Sequence, residues 1–495
     1  MGGHLLLFLW CLAVRGPTFL RSVIDWDESL YLLIARGWSE GAVPYTGLWD
    51  HKPVGVYLIL RAFAWTDDLA IFGMRLAAVV FVFLSALCLR RIAIEFYRSA
   101  AAGTTAAVLY PVLSLHLGGS AANTEVFFTA FTLLGLSLLL RLSSAKTARA
   151  GRSALLLGSG FAWGAAFQVK YLVLVELGFL AAMFALLHRS RGSLRRSDLL
   201  LPGLGFVLPT ALVAIYFLAA GAFAEFVDAN LLANLRHAEG AGSGHPTLAA
   251  AKALLRFLGC SLPVAVVGGI ARLVVDGAQR MRDSVGLVSS PALDLFLGGW
   301  LVMCLVEASL TGKFYPHYLL PALAPLTLLA AAIPVHLGLR PGRFRAVLCA
   351  ALVAALPLCV AAKDEYVPWI REQRRGGTDD ARALALEVSR YLGDPPSLYV
   401  ANHQPILYLL TNTTPPTRFA FPPFLFDPHF SSVARVDYRR EFSLILARKP
   451  ACVLIRADGN PRVTELVELL RRDHSRHGLR PDVDLWCRSN SPRAP

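Results

Sequence analysis

Long apolar runs alternate with short polar segments from the N-terminus to about residue 362. After an apolar stretch over residues 1–20, each further run is near the ~20 residues that a helix needs to cross ~30 Å of hydrocarbon. The sequence therefore predicts about eleven transmembrane helices. The runs after the first stretch cover residues 70–89, 101–117, 126–140, 154–169, 171–187, 199–220, 257–275, 293–310, 318–339 and 346–362.

The opening stretch has no Lys or Arg ahead of its apolar core and no small-residue cleavage site behind it. We therefore expect a first membrane span and not a removable signal peptide. A start further upstream stays open, because the stretch is short and carries Arg15.

The pattern changes at about residue 363, where the composition becomes that of an ordinary soluble domain. Strand-like runs at 397–402 and 451–457 alternate with helix-like stretches at 379–392, 441–450 and 463–472. A Pro-rich segment over 411–424 predicts a long loop that reaches back over the membrane domain. We expect a polytopic α-helical membrane domain over 1–362, with a first outer loop at about 21–69, and a small α/β domain over 363–495.

Composition supports the membrane interpretation, because 55% of the 495 residues are hydrophobic and only 17% are charged. The formal charge of +14 does not indicate nucleic-acid binding, since the arginines cluster in alternate loops between apolar runs. Such clusters mark the cytoplasmic loops of membrane proteins. The first loop, the turn at 118–125, Lys170, the segments 221–256 and 311–317, and the tail are then expected on the outer face of the membrane.

The eight cysteines are scattered and show no C-x-x-C spacing. We expect neither a zinc site nor a disulfide framework from them. Most lie in apolar spans, where cysteine behaves as a small hydrophobic residue.

The segment 25–57 concentrates charge between two apolar runs, where charge is costly and tends to serve a function. Asp27 and Glu28 are adjacent carboxylates, and Tyr31 follows one helical turn later. Asp27 is expected either to N-cap an interfacial helix over 28–38 or to act, supported by Glu28, as a general base at the membrane edge.

A Pro/Gly-rich loop then carries Tyr45, His51 and Lys52 as candidate substrate-binding residues. A lysine beside a fixed proline turn suits a phosphate at the membrane surface, and a snorkelling lysine explains the position equally well. His51 ranks lower, because a histidine in this setting is more often interfacial than catalytic.

Further candidates lie on later outer turns. Glu125 either stabilises a helix N-terminus or joins the site. Lys170 stands in a very short turn without a partner nearby in the sequence, and marks at least the membrane interface. Phosphate binding competes with an aromatic belt as the explanation for the remaining group, which comprises Lys313, His317 and Tyr318.

The order of these residues carries a family resemblance. Asp27, Glu28 and Tyr31, then Pro44 and Tyr45, then Lys52 and Pro53, then NTE at 123–125 and FYPHYLLPALAP at 314–325 resemble the GT-C glycosyltransferases of the protein O-mannosyltransferase and lipid A aminoarabinose transferase superfamily. The resemblance implies that Asp27 is catalytic, that Glu28 completes an acidic pair and that Lys52 contacts a donor phosphate. Val54 departs from a second proline that relatives of the aminoarabinose enzyme often carry.

The leading hypothesis is a membrane glycosyltransferase that moves a sugar, with inversion, from a polyprenyl-phosphate donor to a lipid, glycan or protein acceptor. No Gly-rich nucleotide loop occurs in the sequence, which is consistent with a donor attached to a lipid. The expected enzyme requires no cofactor, a divalent metal stays open, and nucleic acid is not an expected partner.

Two alternatives stay open on the sequence alone. A lipid or sugar transporter would hold ionisable residues near the bilayer midplane, and Glu176 and Glu307 keep that alternative in view. A non-catalytic assembly or receptor protein is the other. The sugar, the acceptor and the oligomeric state have no linear motif.

Overall fold

The computed structural model describes residues 2–63, 67–144, 149–190, 197–239, 250–252, 254–259, 291–336, 343–376 and 379–488. The chain forms two compact units, each assembled from segments that are distant in sequence. The helical unit comprises Met1–Thr18, Arg75–Ile215 and Gly242–Pro368. The mixed unit comprises Phe19–Met74, Tyr216–Ala241 and Trp369–Pro495, so the tail shares a unit with the predicted first outer loop.

Apolar helices build the helical unit. Among the described residues, four stretches are long and apolar enough to cross a membrane, namely Gly2–Leu20, Leu69–Tyr97, Thr124–Leu142 and Asp198–Ala219. The α-helices, including those that continue into the mixed unit, are Gly2–Arg15, Asp67–Tyr97, Ala100–Leu113, Thr124–Ser144, Arg149–Phe167, Leu174–Ser190, Ser197–Ala219, Pro291–Ser309, Leu323–Ala331, Ile333–His336, Arg343–Ala361 and Val367–Gly376. Tighter or wider turns occur at Gly16–Leu20, Tyr171–Val173, Pro316–Ala322 and Ala362–Tyr366.

The predicted helical membrane architecture is present, whereas the count of about eleven spans stays a prediction. The span predicted over 257–275 lies outside the described residues beyond 259. The span predicted over 318–339 is not one regular α-helix, because the chain there forms the 3-10 helix Pro316–Ala322 followed by two short helices. That this segment crosses the membrane stays a prediction. Pro321 lacks an amide hydrogen and so cannot continue a regular α-helical ladder.

Small residues let the helices approach closely. A side chain at Gly160 would come within 1.9 Å of the Pro202 carbonyl oxygen, and one at Gly164 within 2.3 Å of the Phe206 carbonyl oxygen. The helices Arg149–Phe167 and Ser197–Ala219 therefore pack backbone against backbone, as small residues permit in membrane proteins.

Arg15, which made the first span doubtful from its sequence, is fully buried. Its guanidinium nitrogens donate to the carbonyl oxygens of Gly119 and Ser120, each at 2.9 Å. These bonds satisfy the charge at the end of the helix and anchor the turn that precedes Thr124–Ser144.

The mixed unit combines short helices with a four-stranded sheet. Its strands are β1 (Leu398–Val400), β2 (Cys452–Arg456), β3 (His474–Arg480) and β4 (Val483–Arg488), in the order β1-β2-β4-β3, with β1 and β2 parallel and the other pairs antiparallel. The helices are Trp26–Ser39, Gly55–Phe63, Phe223–Val227, Ala233–Glu239, Asp380–Ser389, Ile406–Leu410, Pro423–Phe426, Pro428–Ala434, Tyr438–Ala447 and Pro461–Leu470, with a π-helical turn at Asp228–Leu232.

The tail has helices and strands at the positions that its pattern predicts, and its core packs Tyr399, Phe442, Val453, Leu466 and Trp486 together. The hairpin of β3 and β4 was not predicted, because polar residues occupy both faces of β3 and leave no alternating pattern.

The expectation that no disulfide forms is wrong. Cys452 on β2 and Cys487 on β4 are partners in the antiparallel register and form a disulfide. They stand 35 residues apart, so no short motif announces the pairing.

Candidate active site

The first helix of the mixed unit is capped by Asp25, two residues before Asp27, the cap that the sequence suggested. The Asp25 side chain accepts a hydrogen bond from the Asp27 amide at 3.0 Å, and the Glu28 carboxylate accepts from the Ile24 amide at 2.6 Å. This is a capping box, so the alternative in which Asp27 caps the helix is wrong. Glu28 is fully buried and its contacts are structural, while its support of the chemistry stays a prediction.

Asp27 is thereby left with a side chain that faces other functional groups. The Tyr31 hydroxyl donates to Asp27 Oδ2 at 3.0 Å, as residues one helical turn apart allow. The Lys52 ammonium lies 3.8 Å from the same oxygen. The side chains of Asp27 and Lys52 are 26% and 19% exposed, so a ligand in solvent can reach both.

Buried tyrosines hold the backbone of Lys52. The Tyr45 hydroxyl donates to the Lys52 carbonyl oxygen at 2.9 Å, and the Tyr57 hydroxyl donates to Asp50 Oδ2 at 2.8 Å. Tyr45 and Tyr57 are completely inaccessible. The predicted substrate-binding residue Tyr45 therefore positions the lysine through protein contacts, and a direct contact with substrate stays a prediction.

Asp50 and His51 are buried in the same loop and contact each other. Burial alone would raise the pKa of the Asp50 carboxyl, but the hydrogen bond and charge of His51, together with Lys52 and Tyr57, hold that pKa below its usual value. His51 Nδ1 lies 3.2 Å from Asp50 Oδ1, and the His51 side chain is buried. His51 is thus positioned to orient the loop.

A second segment of the mixed unit, at residues 228–237, fastens the same loop. Asn234 donates to the His51 carbonyl oxygen at 2.7 Å, and the Tyr45 hydroxyl lies 3.3 Å from Asn230 Oδ1. The His237 ring lies 5.1 Å from the His51 ring. Sequence reasoning missed these residues, since they stand far from the loop in sequence and belong to no motif.

The Pro-rich loop of the tail also contacts the first loop. The Trp49 amide donates to the Arg418 carbonyl oxygen at 2.8 Å, and the Arg418 guanidinium donates to the Tyr45 carbonyl oxygen. The Trp49 ring packs edge-to-face on Phe424. The tail segment therefore helps to shape the loop that carries Lys52.

In the helical unit, Lys170 has the partner that its sequence neighbourhood lacks. Its ammonium group forms a buried ion pair with Glu125 and lies 3.7 Å from the centre of the Tyr318 ring. The His317 ring packs edge-to-face on Tyr318. The partner is distant in sequence, as the lack of a local one required, because the turn at 118–125 and the segment Pro316–Ala322 converge on Lys170.

Lys313 lies in the turn that precedes the segment Pro316–Ala322. Its amide lies 3.4 Å from Thr311 Oγ1 within the same turn. Its predicted role in phosphate binding is neither supported nor opposed by that contact.

Two further features bear on the site. A cavity of about 210 Å³ in the mixed unit is lined by Arg36, Trp38, Pro44 and Thr413 among others, and neither Asp27 nor Lys52 lines it. Within the described residues, no group of three or more His, Cys, Asp or Glu side chains is arranged to hold a metal ion. Whether the protein uses a divalent metal stays open.

The chain is similar to known proteins in its fold and in part of its sequence. The family model described as dolichyl-phosphate-mannose-protein mannosyltransferase matches residues 50–217. The fold matches ArnT from Cupriavidus metallidurans bound to undecaprenyl phosphate, with a TM-score of 0.68, 16% identity and 99% coverage of each chain. Apo ArnT from the same organism matches with a TM-score of 0.63 and 15% identity, over 98% of this chain and 97% of that one.

No curated protein matches the chain in sequence. The structural likeness extends over nearly the whole chain, and the family model covers the segment that carries His51, Lys52, Glu125 and Lys170. The chain therefore has a GT-C membrane fold, and it resembles the protein O-mannosyltransferases and ArnT, as the sequence predicted.

Proposed function

We propose that the protein is a multi-pass membrane glycosyltransferase that transfers a sugar from a polyprenyl-phosphate donor to an acceptor hydroxyl. The single observation that carries the proposal is the group formed by Asp27, Tyr31 and Lys52, which presents a base and a cation to the same accessible space. The matched family and the ArnT structure, which holds undecaprenyl phosphate, support the class of donor.

In the proposed reaction, Asp27 accepts the proton of the acceptor hydroxyl while the hydroxyl oxygen attacks the anomeric carbon. The bond from that carbon to the phosphate oxygen breaks, and polyprenyl phosphate leaves with the bonding electrons. Displacement from the opposite face inverts the anomeric centre. The Tyr31 hydroxyl, which donates to Asp27, fixes the direction in which the carboxylate faces the acceptor.

Lys52 has two roles in succession in this proposal. In the structure its charge lies 3.8 Å from Asp27, which keeps both groups paired at a solvent-accessible surface. The phosphodiester of the donor carries one negative charge and becomes a more highly charged phosphate monoester as the sugar leaves, so the ammonium group moves toward this developing charge. The move leaves Asp27 available as base and stabilises the leaving phosphate, the principal electrostatic requirement of the transfer.

Three side chains of the helical unit, Lys170, Lys313 and His317, are also proposed to bind substrate. Lys170, held by Glu125 and Tyr318, is a preorganised cation, and Lys313 and His317 keep their predicted role as phosphate ligands. The reaction as proposed needs no cofactor.

We further propose a bacterial inner-membrane location with the mixed unit in the periplasm. The disulfide between Cys452 and Cys487 supports this orientation, because disulfides persist in oxidising compartments. The transporter alternative receives no support, since the matching family model describes a mannosyltransferase and the two structures described above are of ArnT.

A donor panel tests the proposal. Full-length protein in lipid nanodiscs is incubated with radiolabelled polyprenyl-phosphate sugars, with lipid, glycan and peptide acceptors offered in turn. We expect transfer of label from at least one donor, with release of polyprenyl phosphate. Movement of an intact donor across the bilayer without cleavage of the sugar–phosphate bond would support the transporter instead.

A further inference from the structure

Two buried glutamates of the helical unit have no part in the proposed reaction. Glu176 lies in the first turn of Leu174–Ser190, and Glu307 lies near the end of Pro291–Ser309. These two helices pack against each other. The exposed fractions of Glu176 and Glu307 are 1% and 3%. A carboxylate in such surroundings is costly unless it is paired or neutral.

Each glutamate presents a buried oxygen that is not satisfied. Glu176 Oε1 accepts a hydrogen bond from Trp300 Nε1 at 2.6 Å and lies 3.8 Å from Cys304 Sγ. Within the described part of the chain, neither Glu176 Oε2 nor Glu307 Oε2 has a hydrogen-bond partner. Two such oxygens in one pair of packed helices indicate that a ligand of the carboxyl groups is needed.

The surrounding charges do not neutralise both carboxylates. The negative charge of Glu176 disfavours the ionised form of Glu307, and the positive charge of Lys170 favours it. Lys170, however, is already hydrogen-bonded to Glu125. The titratable groups that interact electrostatically with one or both glutamates are Tyr110, Glu125, Lys170 and Cys304. The segment Pro316–Ala322, which carries His317 and Tyr318, packs against the helix of Glu307.

We propose that Glu176 and Glu307 form a proton-binding site inside the helical unit, in which Glu307 is a neutral carboxylic acid at neutral pH. The Trp300 N–H favours the ionised form of Glu176, to which it donates, so Glu307 is the member of the pair that carries the proton in this proposal. Two adjacent carboxylates at low dielectric do not both ionise readily. This site is independent of the proposed transfer reaction and takes a proton as its ligand.

Infrared spectroscopy of the full-length protein in nanodiscs tests the site, because a protonated carboxyl has a C=O stretching band that a carboxylate lacks. We expect this band at neutral pH in the wild type, a fall in its intensity in Glu307→Gln, and loss of the wild-type band as the pH is raised. Asp198→Asn is the matched control. Asp198 is equally buried, but the Arg152 guanidinium contacts both of its oxygens, at 3.1 and 2.7 Å.

The control variant should leave the band unchanged. A wild type without the band at neutral pH would overturn the proposal, and so would a Glu307→Gln variant with the full band. The wild-type titration needs no variant, so the proposal is testable even if Glu307→Gln does not fold.

Discussion

The molecule contains two acid–lysine pairs that differ in burial and in the distance between the charged atoms. The Glu125–Lys170 pair of the helical unit is buried, with side-chain exposures of 1% and 11%, and its partners are in direct hydrogen-bond contact. The Asp27–Lys52 pair of the mixed unit is looser, with 3.8 Å between the charged atoms and roughly a fifth to a quarter of each side chain exposed.

The difference separates a pair that the fold requires from a pair that a ligand can open. A buried charge that loses its partner remains desolvated, so the helical unit holds Glu125 and Lys170 together. A partly exposed pair contributes little to stability, because water solvates either partner when the other leaves. Asp27 and Lys52 can therefore separate and contact substrate groups with little loss of stability.

Breaking the buried pair has the largest expected effect on stability. Lys170→Met leaves Glu125 buried and uncompensated, so we expect a loss of about 3–5 kcal/mol in the free energy of unfolding. Denaturant titration in a mild detergent measures this loss. The double variant Lys170→Met/Glu125→Leu should recover most of it. If the single variant is as stable as the wild type, the pair is not the structural contact described above.

Breaking the exposed pair is expected to affect donor binding and not folding. Lys52→Met removes a charge-assisted contact worth about 1.5–3 kcal/mol, which corresponds to roughly a 10- to 100-fold higher KM for the lipid-linked donor. Stability should stay within about 0.5 kcal/mol of the wild type. Lys449→Met, at an exposed position of the same unit, is the control and should leave KM unchanged. A large loss of stability in Lys52→Met would contradict the comparison.

Loss of the Tyr31 hydrogen bond to Asp27 is expected to have a smaller effect, on kcat and not on donor binding. Tyr31→Phe removes the hydrogen bond to Asp27 and keeps the ring, so we expect kcat to fall by roughly 2- to 10-fold, the equivalent of about 0.5–1.5 kcal/mol. Donor KM should change little, because Tyr31 orients the base and does not hold the phosphate. Steady-state kinetics separate the two constants, and a change confined to KM would assign Tyr31 to donor binding instead.

The smallest expected effect is the pH dependence of stability that His403 causes. It distinguishes a loss of folded protein at low pH from a loss of Asp27 activity. Burial lowers the pKa of His403, whose ring stacks on Trp26 beside Asp27, to about 4. The unfolded chain binds a proton at this residue below about pH 6.5, whereas the folded protein does so only near pH 4. Stability is therefore lost as the pH falls through this window, by about 1 kcal/mol between pH 7 and 5.5.

Replacement of His403 by Gln provides the test of that pH dependence. Thermal unfolding of the wild type followed from pH 7 to 5.5 should show the loss, and His403→Gln should show a flatter profile. If both profiles have the same slope, His403 does not contribute to it. A fall in transfer activity that persists in His403→Gln over this range belongs to the active site.

Much of the Asp27 region could be predicted because its parts are close in sequence. Asp27 and Tyr31 are one helical turn apart, and Lys52 lies on the same outer loop. Asp25 and Glu28 also have the spacing of a capping box, but Asp27 is an equally suitable cap residue by type. What the pattern alone left undecided was the start of the helix, which determines whether Asp27 caps the backbone or faces solvent.

The parts that could not be predicted depend on chain segments that meet only in three dimensions. Lys170 and Glu125 are 45 residues apart, and Asn234 reaches His51 from 183 residues away. The grouping of the tail with the first loop likewise follows from packing. Hydrophobic periodicity reports which face of an element is buried, and it does not report which partner covers that face.

The central claim is that Asp27 acts as the base in transfer from a lipid-linked sugar. The most direct measurement compares Asp27→Asn with the wild type in nanodiscs, with donor binding and label transfer followed in the same sample and Glu465→Gln as a surface control. We predict that Asp27→Asn binds the donor as the wild type does but transfers the sugar about 10²- to 10⁴-fold more slowly. Transfer at a near-normal rate in this variant would contradict the account.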